Sequence, residues 1–148
     1  MAKKPTPAYD NEEVYEAVGA FIFHFSQLEF TIQARLARVL KLSDELGAIV
    51  IGAYDFVLLC TVAEQVMLKQ KRLSRRKRKL IEIFFKDCRG LANPNRNIVA
   101  HALWTTGGAS HVSRNSLRRQ IHFSDLDDLR KLTQKAKELM MRIFRERI

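Results

Sequence analysis

Arg96, Asn97 and His101 are the residues of this chain whose types and spacing can do chemistry. They lie in the stretch Asn93-Pro94-Asn95-Arg96-Asn97-Ile98-Val99-Ala100-His101-Ala102-Leu103-Trp104. A guanidinium grips a phosphate with a planar fork of donors, and histidine is the side-chain type that gains or loses a proton near neutrality. Such a pair suggests phosphodiester chemistry. In RNA the 2′-hydroxyl attacks its own adjacent phosphate when a base removes its proton and an acid protonates the departing 5′-oxygen. The expected products are a 2′,3′-cyclic phosphate and a 5′-hydroxyl, which DNA cannot give. The scheme calls for no metal and no cofactor.

Position along the backbone decides whether these groups can meet. Asn93 followed by Pro94 predicts an N-cap and a first helical residue, with Arg96 in the first turn and His101 in the second or third. Asn97 and His101 are four apart and share a face. Arg96 lies about 140° around the helix from His101, so only its long side chain, or a slightly unwound first turn, brings both to one phosphate. In that arrangement Arg96 neutralises the developing charge, helix N-terminal amides add donors, and Asn97 orients the histidine or the phosphate. Glu29 is a supporting candidate: it can pair with Arg96 and hold its side chain, or simply stand exposed beside Gln33.

With these residues in view, the chain resembles the HEPN superfamily, all-α domains whose signature is an arginine, four to six residues and a histidine, commonly with a polar residue directly after the arginine. Arg96-Asn97-Ile98-Val99-Ala100-His101 fits that signature. A long first helix carrying Gly19, Phe21 and Leu28-Glu29 extends the likeness in outline over residues 10–145. The resemblance implies a metal-independent endoribonuclease, a hydrolase acting as a homodimer with two motifs facing one cleft, and a toxin or defence effector. One His101 does not conveniently serve both sides of a phosphate, whereas two copies across a two-fold axis divide the work. Some HEPN toxins carry a tyrosine two residues after the histidine that a partner nucleotidyltransferase modifies. Leu103 stands there in this chain, which puts that mode of neutralisation in doubt. The alternatives are a non-catalytic HEPN-like nucleic-acid-binding module and a protein-protein adaptor for an antitoxin or nucleotidyltransferase partner.

The formal net charge of +10 and the pI of about 10.0 narrow the partner class to polyanions, RNA here, or anionic surfaces. Much of that charge is one run, Lys69, Lys71, Arg72, Arg75, Arg76, Lys77, Arg78 and Lys79, eight basic residues in eleven positions. It is either a solvated basic face or a surface that tracks phosphates, giving affinity without sequence choice. Arg114, Arg118 and Arg119 form a possible second arm. Cys60 and Cys88 stand apart without a CxxC pair, as small buried hydrophobes in a reducing compartment such as the cytoplasm. The most apolar window, residues 47–68, contains Asp55, Glu64 and Gln65, so a buried helix is expected rather than a membrane span. His24 falls on the polar side of its helix, and His111 and His122 flank a hairpin at no metal-ligand spacing.

The elements follow from periodicity. Residues 1–9 read as a flexible leader and residues 10–148 as one HEPN-like domain, an all-α bundle of about five helices with a small β-hairpin or extended loop before the last. Asp10 with Glu13 starts a long first helix whose apolar residues Val14, Val18, Phe21, Phe25, Leu28, Ile32, Leu36 and Val39 recur at threes and fours. Ser43 caps a second helix running to about Lys69, nearly apolar all round. A third spans about Leu73 to Arg89, broken at Gly90. After the motif helix, Trp104 to Phe123 reads as the hairpin, with Trp104 as its packing anchor. Ser124 with Asp127 then caps a last helix striped by Leu126, Leu129, Leu132, Ala136, Leu139 and Ile143.

Overall fold

The computed structural model describes residues 9–148, so most of the expected leader lies outside the described residues. Tyr9, its last residue, is tied down: its hydroxyl donates to Asp125 Oδ1 at 2.8 Å. Helix α1 (Asn11–Val39) opens on a capping box, in which Asp10 accepts from the Glu13 amide at 2.8 Å and Glu13 accepts from the Asp10 amide at 3.0 Å. Reciprocal bonds of this kind satisfy amides that the first turn leaves orphaned. The expected stripe is its inner face, with Phe21, Leu28 and Leu36 wholly buried. It packs against the last helix, α6 (Leu126–Arg145), whose apolar stripe is likewise inward.

The expected second helix is two. α2 (Asp44–Ile51) ends at Gly52, and α3 (Phe56–Leu68) starts afresh under Asp55, whose carboxylate accepts from the Leu58 amide at 2.9 Å. An aspartate inside an apolar stretch acts here as a cap, the role its short acceptor side chain favours over a helix interior. α4 (Arg75–Ala92) starts under Ser74 and runs straight through Gly90, which breaks nothing. α3 and α4 pack together, and α4 also meets α6. An ion pair from Arg89 to Glu64 at 2.7 Å joins α4 to α3. Arg142 of α6 reaches Asp87 of α4 at 2.9 Å and Glu146 at 3.1 Å, with its guanidinium over the Phe84 ring.

The motif helix α5 (Asn95–His101) starts one residue later than expected: Pro94 is its N-cap and has no side-chain acceptor to cap it, while Asn93 closes α4. After it comes an antiparallel sheet of β1 (Leu103–Thr105), β2 (Gly108–Val112) and β3 (Arg119–His122), in that spatial order. The chain is therefore mostly helical rather than all-α, and the expected hairpin gains a third strand. Gly108 makes the first turn possible, with φ of +114° and the His122 carbonyl 2.6 Å from where a Cβ would stand. Trp104 is the anchor that was expected. Its indole Nε1 donates to the Val99 carbonyl at 3.0 Å and its ring stacks on Phe123 at 5.9 Å. α6 is capped by Asp125, which accepts from the Asp127 amide at 2.9 Å, so Ser124 is not the cap.

His24 is not a plain surface histidine. Its Nδ1 is out of solvent with no hydrogen-bond partner among the described residues, and burial, with the Lys137 charge, pushes the imidazole below its ordinary pKa. Cys60 and Cys88 are buried and unbridged. Burial, followed by a hydrogen bond with Cys60, raises the Cys88 thiol. No helix among the described residues is long and apolar enough to cross a membrane.

Candidate active site

α5 is short because it is pinned at both ends. Ile98 and Val99 are buried under it, the Asn95 side chain donates back to the Leu91 carbonyl at 3.3 Å, and Trp104 holds Val99 from the far side. That leaves Arg96, Asn97 and His101 on the outer arc. Asn97 and His101 are exposed and Arg96 is partly buried.

The helix presents these groups to two openings rather than one. Arg96 and Asn97 line a cleft of about 490 Å³, closed on one side by Glu29 of α1 and on another by Tyr54, Asp55 and Phe56 at the start of α3. Asn97 and His101 line a second, larger groove of about 700 Å³, together with Leu103, Ser110, His111 and Val112 of the sheet and, beyond β2, Arg114. Asn97 is common to both. The angular separation of Arg96 and His101 expected from helical periodicity thus persists, and no unwound first turn brings them to one opening.

Glu29 stands in the Arg96 cleft. Burial raises its pKa above the ordinary carboxylate value, the Arg96 charge pulls it back, and Asp55 raises it again. Arg96 is therefore close enough to be felt, although among the described residues the two make no direct ion pair. Burial wins over that attraction, so Glu29 is more costly to ionise in this cleft than in water. Tyr54 and Asp55 were not singled out from the sequence. Their signal was the cap itself, hidden inside an apolar run.

The basic run sits at the other end of α4. Lys69, Lys71 and Arg72 occupy the turn before it, and Arg75 to Lys79 its first turns. α4 has 18 residues, roughly 27 Å at about 1.5 Å of rise per residue, so the run at its start and α5 beyond its end are separate stations. Five cations at a helix N-terminus oppose the macrodipole, which favours anions there. Lys77 differs from its neighbours: its ammonium donates to the carbonyls of Glu146 and Arg147, closing the end of α6. Arg78 donates to the Leu68 carbonyl at 3.2 Å and closes α3. Arg75, Arg76 and Lys79 are exposed, as are Lys69, Lys71 and Arg72.

Of the second arm, Arg114 reaches the His101 groove, Arg118 is exposed in the loop before β3, and Arg119 bonds Ser110 across the strands at 2.5 Å. Among the described residues no three His, Cys, Asp or Glu side chains gather as a metal-binding group. No protein-family model, curated protein or solved structure matches the chain.

Proposed function

We propose that the protein is a metal-independent endoribonuclease of HEPN type that cleaves RNA by attack of the 2′-hydroxyl on its own phosphate. The observation that carries this reading is the presentation of α5, which shows a cation and a histidine at its outer arc to two open clefts that meet at Asn97. An RNA strand laid over Asn97 has Arg96 at one phosphate and His101 at the next reacting centre. The exposed cations around the start of α4 supply a second, sequence-indifferent grip further along the strand. His101 moves a proton at the 2′-oxygen or the 5′-oxygen, Arg96 holds and neutralises phosphate charge, and Glu29 limits where the Arg96 side chain goes.

Such a nuclease acts as a homodimer in this reading, and as the toxic half of a toxin and antitoxin pair or a defence system. End-labelled structured RNA should be cut by the wild type and not by His101→Ala or Arg96→Ala, with RNA binding by His101→Ala retained. Intact binding with no cleavage by the wild type across several RNAs would replace the reading with its rival, a non-catalytic nucleic-acid-binding module. One observation favours that rival: Arg96 and His101 line different openings. A third reading, an adaptor, predicts no RNA affinity at physiological salt and a tight complex with an acidic partner.

A further inference from the structure

Cleavage by a 2′-hydroxyl needs two proton transfers on opposite sides of one phosphorus, and α5 supplies one histidine. The groove that holds His101 contains a second. His111 sits on β2, two residues from Ala109, and alternation puts it on the same sheet face as that wholly buried residue, the face that α5 and Trp104 cover. It is partly buried, with its ring edge-on to His122 of the neighbouring strand at 6.4 Å. Asn97 and His101 line the same groove, as does Arg114, which follows β2. Two imidazoles thus line one groove of a single chain, with a guanidinium lining it too.

We propose that His111 is the second proton-transfer group and that Arg114, beside it, takes up the charge developing on the phosphate. The proposal rests on the endoribonuclease reading and alters its division of labour: the second histidine comes from the same chain and not from a second copy. In the step, one imidazole removes the 2′-hydroxyl proton as the 2′-oxygen bonds to phosphorus. The phosphorus to 5′-oxygen bond breaks, and the other imidazole, protonated, delivers its proton to that oxygen. One histidine gains the proton that the other loses, and exchange with water restores both.

The test compares two substrates, an RNA dinucleotide and a uridine 3′-(4-nitrophenyl phosphate), whose nitrophenolate departs without a proton. His101→Ala and His111→Ala should each slow dinucleotide cleavage by about 10²-fold or more, the ordinary worth of a positioned acid or base. On the nitrophenyl ester one of the two variants should recover most of its rate and the other should not, which a merely structural role for His111 would not produce. His111→Gln, which keeps a polar side chain of similar reach, should behave as His111→Ala does and melt with the wild type. An equimolar mixture of His101→Ala and His111→Ala chains should stay inactive, because no single chain then holds both histidines. Near-wild-type cleavage by His111→Ala, equal losses on both substrates for both variants, or recovered activity in the mixture would overturn the proposal. A wild type that cuts neither substrate removes the endoribonuclease reading itself, and this proposal with it.

Discussion

Replacing Trp104 with phenylalanine separates the two things that side chain does. The six-membered ring of phenylalanine can keep the stack on Phe123, but the indole N–H that reaches the Val99 carbonyl at 3.0 Å is gone. A hydrogen bond of this kind contributes about 1 kcal/mol net. The smaller ring also leaves partly buried apolar area unfilled, which at about 25 cal/mol per Å² adds roughly 0.5–1 kcal/mol. The expected loss is therefore about 1.5–2 kcal/mol, or a fall in Tm of about 3–8 °C for a chain of this length. Trp104→Ala, which also loses the stack, should cost about 3 kcal/mol. Urea unfolding followed by far-ultraviolet circular dichroism measures both, because Trp104 is the one tryptophan and its variants have no indole signal. Val99 lies two residues before His101, so Trp104→Phe should also slow RNA cleavage although the ring is not placed against substrate. A loss of stability below about 0.5 kcal/mol would refute the argument that this bond ties the motif helix to the sheet.

Glu29→Gln tests the balance in the Arg96 cleft: a carboxyl whose pKa is raised in the fold stabilises most when protonated, and loses that contribution as pH rises through its folded value. The wild type should therefore gain stability relative to Glu29→Gln as pH falls from about 7 to about 4, and an opposite slope would mean that attraction to Arg96 outweighs burial. Arg142→Met keeps the stem but strands Asp87 and Glu146, and should cost about 2 kcal/mol in chemical denaturation; adding Glu146→Gln should restore part of it, and strict additivity would contradict the shared network. Neutralising Arg75, Arg76 and Lys79 together should reduce the salt dependence of RNA binding by about 2 in the log-log slope, at about 0.7 per phosphate contact on a single strand. An unchanged slope would leave the basic run as a solvated face.

The long helices were legible in the sequence because their burial repeats at threes and fours over many residues. α1 and α6 begin where their caps or near-caps predict, and most of the two stripes is buried, although Val18, Val39 and Leu132 are only partly so and Ala17 and Thr133 are buried without having been expected. The split of α2 from α3 was not legible, since the apolar run around Gly52 to Asp55 has no strong breaker and Asp55 reads as a stray charge until its carboxylate is seen accepting from Leu58. Gly90 misled in the opposite direction, because the packing of Leu91 and Ala92 into the core outweighs a helix cost of about 1 kcal/mol. At the site, the angular offset of Arg96 from His101 followed from periodicity alone. What periodicity could not give was the rest of each opening's lining. Glu29, Asp55 and His111 arrive there from α1, the start of α3 and β2, by tertiary pairing that leaves no local mark.

The most direct measurement is cleavage, in EDTA, of an end-labelled RNA by wild-type protein, repeated on the same RNA carrying a single 2′-deoxynucleotide 5′ to the cut. The account predicts that the wild type cuts the first and leaves a 2′,3′-cyclic phosphate and a 5′-hydroxyl, that the deoxy substitution blocks that cut alone, and that His101→Ala cuts neither. Cutting at the deoxy position, a 5′-phosphate end, or undiminished cleavage by His101→Ala would contradict it.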